Sequence, residues 1–384
     1  MSLLAAASLV LSLASAAPAV QDSPRPQIPA LERENLNALL EPIRAKHGVP
    51  ALAGAIVRGA DVIAIGAVGV RAFGSPERVT VDDLWHLGSC TKAMTATLIA
   101  RLVEHGELKW STTIGEVFDD PAASMNPAWR DVPIEWLLQH RAGAPSGLAA
   151  IQGLGVRVTN CKGTPREARR LLVEGVLATP PVHPPGTGFL YSNEGYVIAA
   201  AMIERLKDKA WEDLIRAEVF TPLGIRTAGF GPPGTALRVD QPRAHSGVGV
   251  EIRAVPPGRG ADNPPAYGPA GTVHMSLDDW ARFASAHLRG EEGVDSILKA
   301  ETFRRLHQPP QSQKYALGWF REPRPWGGGD VLFHNGTNTM WFCYVWLAPA
   351  KDVAFLSATN IGGDEGGKAC DDAVVAMLSR LGMH

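Results

Sequence analysis

The chain has 384 residues, of which 45% are apolar and 20% carry a charged side chain, so it can build a large buried core. Its 37 lysines and arginines are balanced by 39 acidic residues, which leaves a formal net charge of −2. This balance excludes the basic field that is typical of proteins that bind nucleic acids or anionic membranes.

The N-terminal segment is typical of a signal peptide. Residues 3–17 are apolar and end in small residues before Pro18, and this run is shorter than the about 20 residues of a spanning helix. No lysine or arginine precedes the run, which leaves an uncleaved anchor open as an alternative. We predict a signal peptide over residues 1–19, a periplasmic or secreted protein, and no stable membrane span after cleavage.

Hydrophobic periodicity predicts strands near both ends of the chain and helices between them. Strands are expected at 51–57, 62–70, 316–320, 331–334, 341–347 and 353–359. Helices are expected at 30–46, 197–206, 277–288 and 370–381, and residues 86–305 are mostly helical or loop-rich. The economical arrangement is an α/β domain built from residues 30–85 and 306–384, with a helical domain at 86–305 inserted into it.

A serine and a lysine mark the start of one expected helix, in the stretch HLGSCTKAMTATLIARLVEHGEL. The residues after Lys92 are apolar on most sides, which is typical of a buried helix, and Gly106 is a suitable residue just beyond its end. Burial and the positive end of the helix would both lower the pKa of Lys92, and a neutral amine one turn from Ser89 would activate its hydroxyl. The alternative is that Ser89 caps the helix and Lys92 reaches solvent.

A second polar group follows in PPGTGFLYSNEGY, where Pro and Gly predict a loop before a helix that starts near Gly195. Tyr191 and Asn193 are two residues apart, so in an extended segment they face one side. A nearby Lys92 ammonium would lower the pKa of Tyr191 and make it a general base. The alternative is a tyrosine that covers the core and an asparagine that serves a turn.

A third group lies in VLFHNGTNTMWF, where His334, Asn335 and Gly336 follow a strand-like run. Glycine at the end of a strand allows another backbone to approach closely. The alternative is a hairpin turn, because the dipeptide Asn-Gly favours turns.

Other kinds of site find little support in the sequence. The four cysteines, Cys90, Cys161, Cys343 and Cys370, form no C-x-x-C pair and are too few for a disulfide framework in a chain of this length. No histidine spacing is typical of zinc, no phosphate-binding loop is present, and no G-x-S-x-G supports an α/β-hydrolase. Cys90 is interpreted as a small buried residue that fills space.

Taken in order, the three groups resemble the motifs S-x-x-K, Y-x-N and H-x-G of the serine β-lactamase and penicillin-binding-protein superfamily, on its class C side. The resemblance covers most of the mature chain, because LLQHRAG at 137–143, PAGTVHMSLDDWARF at 269–283 and YALGW at 315–319 are also similar to family segments. It implies an α+β fold in which a mainly antiparallel sheet is flanked by the terminal helices and a mostly helical domain is inserted, as in β-lactamases and D,D-peptidases.

The resemblance also implies catalytic roles. Ser89 would be the nucleophile that becomes acylated, and Lys92 and Tyr191 would share its proton and pass one to the leaving group. Asn193 would hold Lys92 and the substrate amide or ester.

The third motif would line the cleft into which the substrate binds. His334 and Gly336 would lie along the strand where the substrate docks, and the backbone N–H groups of Ser89 and Thr337 would form the oxyanion hole. The implied partner is a small molecule or peptide, and no metal or organic cofactor is implied.

One departure from the family narrows the prediction. His334 stands where β-lactamases and many D,D-peptidases have lysine, and a histidine is only partly charged at neutral pH, so a substrate carboxylate would be held less firmly. We therefore predict a serine hydrolase that acts on an ester or amide. The alternatives are a D-amino-acid peptidase or weak β-lactamase and, in another class, a non-catalytic relative that binds peptidoglycan fragments or a partner protein.

Overall fold

A seven-stranded sheet is built from strands at both ends of the chain, in the order β1-β3-β2-β12-β11-β10-β9. Every neighbouring pair is antiparallel except β1 and β3. The computed structural model describes residues 33–119, 124–247 and 249–384. The predicted signal peptide, residues 1–19, lies outside the described residues. The predicted α+β fold with a mainly antiparallel sheet is confirmed.

The bounds of the elements are as follows. The strands are β1 (Glu34–Asn35), β2 (Ala51–Arg58), β3 (Asp61–Gly69), β4 (Leu84–His86), β5 (Gly229–Phe230), β6 (Ala244–Ser246), β7 (Arg253–Val255), β8 (Val273–Ser276), β9 (Phe320–Arg324), β10 (Gly329–Thr337), β11 (Phe342–Ala348) and β12 (Val353–Thr359). The α-helices are α1 (Asn37–His47), α2 (Thr91–Glu104), α3 (Ile114–Val117), α4 (Ile134–Leu138), α5 (Leu154–Thr159), α6 (Pro165–Leu177), α7 (Asn193–Lys207), α8 (Trp211–Ile215), α9 (Gly268–Gly271), α10 (Leu277–Glu291), α11 (Ala300–His307) and α12 (Gly363–Arg380).

The two terminal helices cover one face of the sheet. Gly54 of β2 lies against Leu40 of α1 and Met377 of α12, both fully buried, and helix α10 packs against β2 and β12. Because β2 is buried over nearly its whole length, its sequence is almost continuously apolar instead of alternating. The strands come from residues 34–69 and 320–359, and the segment between them is mostly helical. The division into two domains at residues 86 and 305 stays a prediction.

Helix α2 is the central helix of the intervening segment. Eleven of its fourteen residues are buried, as the apolar pattern of the sequence predicts, and it ends at Glu104 before Gly106 adopts a φ of +73°. A small sheet with the order β4-β8-β5 lies beside its first turn. The N–H group of Leu87, which follows β4, donates to the carbonyl oxygen of Val273 in β8 (2.8 Å) and so fixes the chain just before α2.

The observed boundaries correct several sequence-based expectations. Helix α1 begins at Asn37, not at residue 30, because Glu34–Asn35 pairs with β3 and the side chain of Asn35 accepts a hydrogen bond from Asn37 N–H. The strand expected at 316–320 begins only at Phe320 and continues to Arg324. The closing helix begins at Gly363, seven residues earlier than predicted.

Among the helices of the described residues, we find none that combines the length and the apolarity needed to span a bilayer.

Candidate active site

The predicted nucleophile lies on a tight turn at the start of the central helix. Ser89 is the middle residue of the 3-10 turn Gly88–Cys90, which runs directly into α2. Cys90 occupies the N-cap position, and no side chain caps the helix there. The alternative in which Ser89 is a capping serine is therefore wrong, and its hydroxyl group is available to other partners.

Lys92 is completely buried one turn further on, so the alternative in which its amine reaches solvent is also wrong. Its Nζ lies 3.1 Å from Ser89 Oγ, 2.7 Å from Asn193 Oδ1 and 2.8 Å from the carbonyl oxygen of Ala270. All three contacting oxygens are neutral groups, so no carboxylate touches the amine.

This environment lowers the affinity of Lys92 for its proton, as the sequence predicts. Burial lowers the pKa of Lys92 from 10.5 to about 7, against a smaller opposing effect of the Glu194 carboxylate. A large share of the molecules therefore carries a neutral amine at neutral pH. When its two N–H groups donate to the oxygens of Asn193 and Ala270, its lone pair faces the Ser89 hydroxyl, which donates to it.

The second motif reaches Lys92 from the start of another helix. Ser192 has an extended backbone and caps α7, because its Oγ accepts a hydrogen bond from Gly195 N–H at 3.1 Å. Asn193 is therefore the first residue of α7, and its Oδ1 contacts Lys92. The ring centre of Tyr191 lies 4.8 Å from Lys92 Nζ, and the Tyr191 hydroxyl shares a hydrogen bond with the Ser89 side chain.

The pKa of Tyr191 shifts in the direction opposite to the sequence-based expectation. Burial raises the pKa of Tyr191 well above its ordinary value of 10, and the hydrogen bond with Ser89 offsets only part of this rise. The expected lowering of the Tyr191 pKa by Lys92 is wrong, because the cost of removing a phenolate from water exceeds the stabilisation that its neighbours supply. Tyr191 is a neutral phenol at physiological pH.

The third motif lies within a strand, not in a turn. Strand β10 continues to Thr337, three residues past its predicted end at His334, and Asn335 and Gly336 pair with β11. The alternative of an Asn-Gly hairpin turn is wrong, since the chain reverses only at residues 338–341.

Two glycines allow this strand to touch the nucleophile turn. A Cβ atom on Gly336 would clash with the carbonyl oxygen of Leu87, and one on Gly88 would clash with the backbone nitrogen of Thr337. Gly88 also has a φ of +46°, which disfavours other residues. The backbone N–H groups of Ser89 and Thr337 therefore belong to two segments in direct contact.

His334 is buried beneath the site instead of projecting into solvent. Its Nδ1–H donates to the carbonyl oxygen of Asn335 (2.5 Å), and its Nε2 accepts from the Tyr315 hydroxyl (3.3 Å). Burial, helped by the charge of Lys92, lowers the pKa of His334 from 6.5 to about 3. The ring is therefore uncharged at neutral pH, not partly charged.

Three further groups surround the motifs and were not assigned roles from the sequence. The Glu194 carboxylate is buried and opposes the lowering of the Lys92 pKa, and the carbonyl oxygen of Ala270 accepts a hydrogen bond from Lys92 Nζ. The His140 ring packs against the Tyr191 ring at 4.3 Å between ring centres, with the two planes tilted by 38°. His140 Nδ1 also accepts a hydrogen bond from Ser192 N–H (3.1 Å), which holds the second motif in place. Ala270 and His140 lie in the PAGT and LLQHRAG segments, but a sequence pattern does not show which atom of such a segment is used.

Cys90 is buried, in agreement with its interpretation as a residue that fills space, and its Sγ lies 3.6 Å from Cys343 Sγ without a disulfide bond. Within the described ranges, no group of three or more His, Cys, Asp or Glu side chains is arranged to hold a metal ion.

Comparison with known proteins places this geometry in a family. A penicillin-binding protein 4 from Amycolatopsis lactamdurans is 29% identical over 332 residues, which are 83% of this chain and 83% of that protein. An unguisins hydrolase from Aspergillus campestris is 27% identical over 330 residues, which are 81% of this chain and 58% of that protein.

A solved structure shows the same fold. The D-amino acid amidase from Ochrobactrum anthropi SV3, in complex with D-phenylalanine, superposes with a TM-score of 0.71 over 91% of this chain and 98% of the amidase, at 21% identity. The Beta-lactamase family model matches residues 36–377. The chain therefore belongs to the Beta-lactamase family, and the serine hydrolase that its three motifs predict is confirmed.

Proposed function

We propose that this protein hydrolyses an ester or amide through an acyl-enzyme on Ser89. The observation that carries the proposal is the environment of Lys92, whose Nζ contacts two carbonyl oxygens and Ser89 Oγ, so that two N–H groups of its neutral form have acceptors and its lone pair is left for the Ser89 hydroxyl. An amine with a pKa near 7 removes a hydroxyl proton at neutral pH more readily than an ordinary lysine does. A protein that only binds peptidoglycan fragments or a partner has no use for this arrangement, so the non-catalytic alternative is not favoured.

Lys92 and Tyr191 together account for the protons of acylation. Ser89 Oγ attacks the carbonyl carbon while its proton passes to Lys92. Tyr191, a neutral phenol that contacts Ser89, donates its proton to the leaving alcohol or amine as the C–O or C–N bond breaks. The Lys92 ammonium then returns a proton to the phenolate, and a water molecule repeats the sequence on the acyl ester. Asn193 holds the amine of Lys92 throughout the reaction, and its side chain is also available to the substrate amide or ester.

The backbone N–H groups of Ser89 and Thr337 would stabilise the oxyanion of the tetrahedral intermediate. Support comes from the contact between Gly88 and Thr337, which brings the two N–H carriers together. Donors of this kind are typically worth about 3 kcal/mol each in the transition state. Gly336 permits the contact, because a Cβ atom there would clash with the carbonyl oxygen of Leu87.

The substrate that we infer has no carboxylate at the place of His334, where relatives that have a lysine in the third motif would bind one. His334 supports this inference, because a ring with a pKa of about 3 offers no positive charge at neutral pH. An uncharged ester or amide is the first candidate. A D-amino-acid peptide, or a β-lactam that is turned over slowly, is the second candidate, and the similarity to a penicillin-binding protein favours it.

We also propose that the protein is periplasmic or secreted, on the basis of the apolar N-terminal segment that ends near residue 19. Sequencing the N-terminus of the protein recovered from an expressing cell tests this location. A start near residue 20 is expected, and a chain that retains residues 1–19 would contradict cleavage.

Intact-mass measurement tests the acyl-enzyme. The purified protein is mixed with a fluorophosphonate ester and, separately, with a penicillin, with Ser89→Ala as the control. We expect an adduct with the fluorophosphonate that is absent from the variant. A penicillin adduct would favour the second candidate, and no adduct with either reagent would contradict the assignment of Ser89.

A further inference from the structure

A buried carboxylate outside the three motifs contacts both segments that carry the oxyanion N–H groups. The side chain of Asp262 is only 4% exposed. Its Oδ2 lies 2.8 Å from His86 Nε2, and its Oδ1 lies 2.8 Å from Asn338 Nδ2. The backbone N–H of Asn263 also donates to Oδ1 at 2.7 Å.

The hydrogen bonds of His86 have a defined direction. The N–H of Gly88 donates to His86 Nδ1 at 3.1 Å, so this nitrogen carries no proton. The single ring proton is therefore on Nε2 and is donated to Asp262. Asp262, His86 and the backbone of Gly88 thus form one directed chain that ends at the residue before Ser89.

The hydrogen bonds of Asn338 are directed in the same way. Its Oδ1 accepts from Met340 N–H at 3.1 Å, which leaves Nδ2 to donate to Asp262. Asn338 directly follows Thr337, just as Gly88 directly precedes Ser89. The two oxygens of one carboxylate therefore hold two segments that are distant in sequence.

We propose that Asp262 is a positioning residue that sets the separation of the Ser89 and Thr337 N–H groups, acting through His86 and Asn338. The proposal rests on the acyl-enzyme function of Ser89. The arrangement suits positioning, because removing a carboxylate from water is unfavourable and the three hydrogen bonds that compensate Asp262 come from these segments and from its own loop.

The variant Asp262→Asn tests the proposal with almost no change of shape. The new side chain has one oxygen and one N–H₂ group in place of two accepting oxygens. Whichever way this amide is turned, its N–H₂ group faces a donor, so the hydrogen bond with His86 or the one with Asn338 must break. We expect kcat for an ester to fall by about 10- to 100-fold, as is usual when a supporting hydrogen bond is lost, with a much smaller change in KM. The ³¹P chemical shift of the fluorophosphonate adduct reports directly on hydrogen bonds to the phosphoryl oxygen, and we expect this shift to move in the variant.

Two substitutions of His86 separate the two ends of the chain of hydrogen bonds. His86→Gln keeps a donor for Asp262 and loses the acceptor for Gly88 N–H, whereas His86→Asn keeps the acceptor and loses the donor. We expect each variant to lower kcat and to move the ³¹P shift. His86→Gln also serves as the test if Asp262→Asn does not fold.

Asp279→Asn is the matched control, because Asp279 is a buried carboxylate that accepts hydrogen bonds from Arg226 N–H and Thr227 N–H, neither of which adjoins Ser89 or Thr337 in the chain. It should lower stability and leave the ³¹P shift unchanged. A wild-type kcat and an unmoved shift in Asp262→Asn would overturn the positioning role alone. A wild-type protein that forms no adduct would overturn the Ser89 assignment as well, so the two failures are distinguishable.

Discussion

Two fully buried basic side chains, Lys92 and Arg169, have opposite surroundings. Arg169 in α6 lies between two carboxylates, with Nη2 2.7 Å from Glu204 Oε1 and 2.7 Å from Glu212 Oε2. Burial opposes its charge, yet hydrogen bonds and attraction to both carboxylates raise the pKa of Arg169. Lys92 has only neutral oxygens in contact, and burial lowers its pKa to about 7. A buried basic group that touches a counter-ion keeps its proton, whereas one without a counter-ion is poised to exchange it.

The variant Lys92→Met tests whether the buried lysine acts in catalysis, and it has the largest expected effect of these predictions. The variant removes the proposed base, so kcat for an ester should fall by about 10⁴-fold while the protein stays folded. Steady-state kinetics with circular dichroism measure both properties. Lys46→Met, which changes an exposed lysine on α1, should keep the wild-type rate. A Lys92→Met enzyme of ordinary activity would remove Lys92 from the mechanism.

The variant Arg169→Met tests whether the buried arginine acts only in stability. It leaves the buried Glu204 and the partly buried Glu212 without their cation, so the free energy of unfolding should fall by about 3–5 kcal/mol. The kcat of the folded enzyme should not change. Denaturant unfolding measures the loss, and the neighbouring exposed Arg170→Met should change stability by less than about 0.5 kcal/mol. Equal losses in the two variants would refute the structural role of Arg169.

Asn193→Asp sharpens the comparison, because it gives Lys92 the kind of partner that Arg169 has. A carboxylate in place of the amide oxygen, 2.7 Å from Nζ, should raise the pKa of Lys92. Wild-type kcat/KM should rise with pH through an apparent pKa of about 7, since only the neutral amine acts as a base. In the variant this rise should move upward by about 1–3 pH units. A pH–rate profile that does not move would contradict the assignment.

The smallest expected effect concerns the pH dependence of stability. Lys92 has a pKa of about 7 when folded and 10.5 as its ordinary value, so between these values the unfolded chain binds more protons. Burial of the Lys92 ammonium therefore lowers the free energy of unfolding by its full amount below pH 7, and this loss becomes smaller as the pH rises toward 10.5. Relative to Lys92→Met, the wild type should gain about 2 kcal/mol of unfolding free energy between pH 7 and pH 9. A constant difference between the two proteins would show that the pKa of Lys92 is not depressed.

Elements with a strong local signal could be predicted from the sequence. Strand β12 has its predicted bounds, and β2 and β3 differ from theirs by one residue at each end at most, because runs of Val, Ile and Ala with turn residues between them have few other uses. The end of β10 could not be predicted. Asn335 and Gly336 favour a turn locally, but ladder pairing with β11 and contact with the nucleophile turn override that preference.

The site shows the same limit. The sequence alone indicated the lowered pKa of Lys92, because the apolar residues that follow it predict a buried helix. The raised pKa of Tyr191 was missed, because the competition between desolvation and a nearby amine depends on depth, which the sequence of a loop does not contain. Asp262 carried no motif signal, since its partners His86 and Asn338 are far from it along the chain.

The pairing of the earliest strands with the latest ones also constrains how the protein acquires activity. The hydroxyl of Thr359 in β12 donates to the carbonyl oxygen of Ala51 in β2, 308 residues away. Closing so long a loop costs conformational entropy before any contact compensates for it, and such topologies fold slowly. The hairpin of β2 and β3 therefore gains its neighbour in the sheet only after β12 has been synthesised. Hydrolytic activity during refolding would report the closure of this sheet directly.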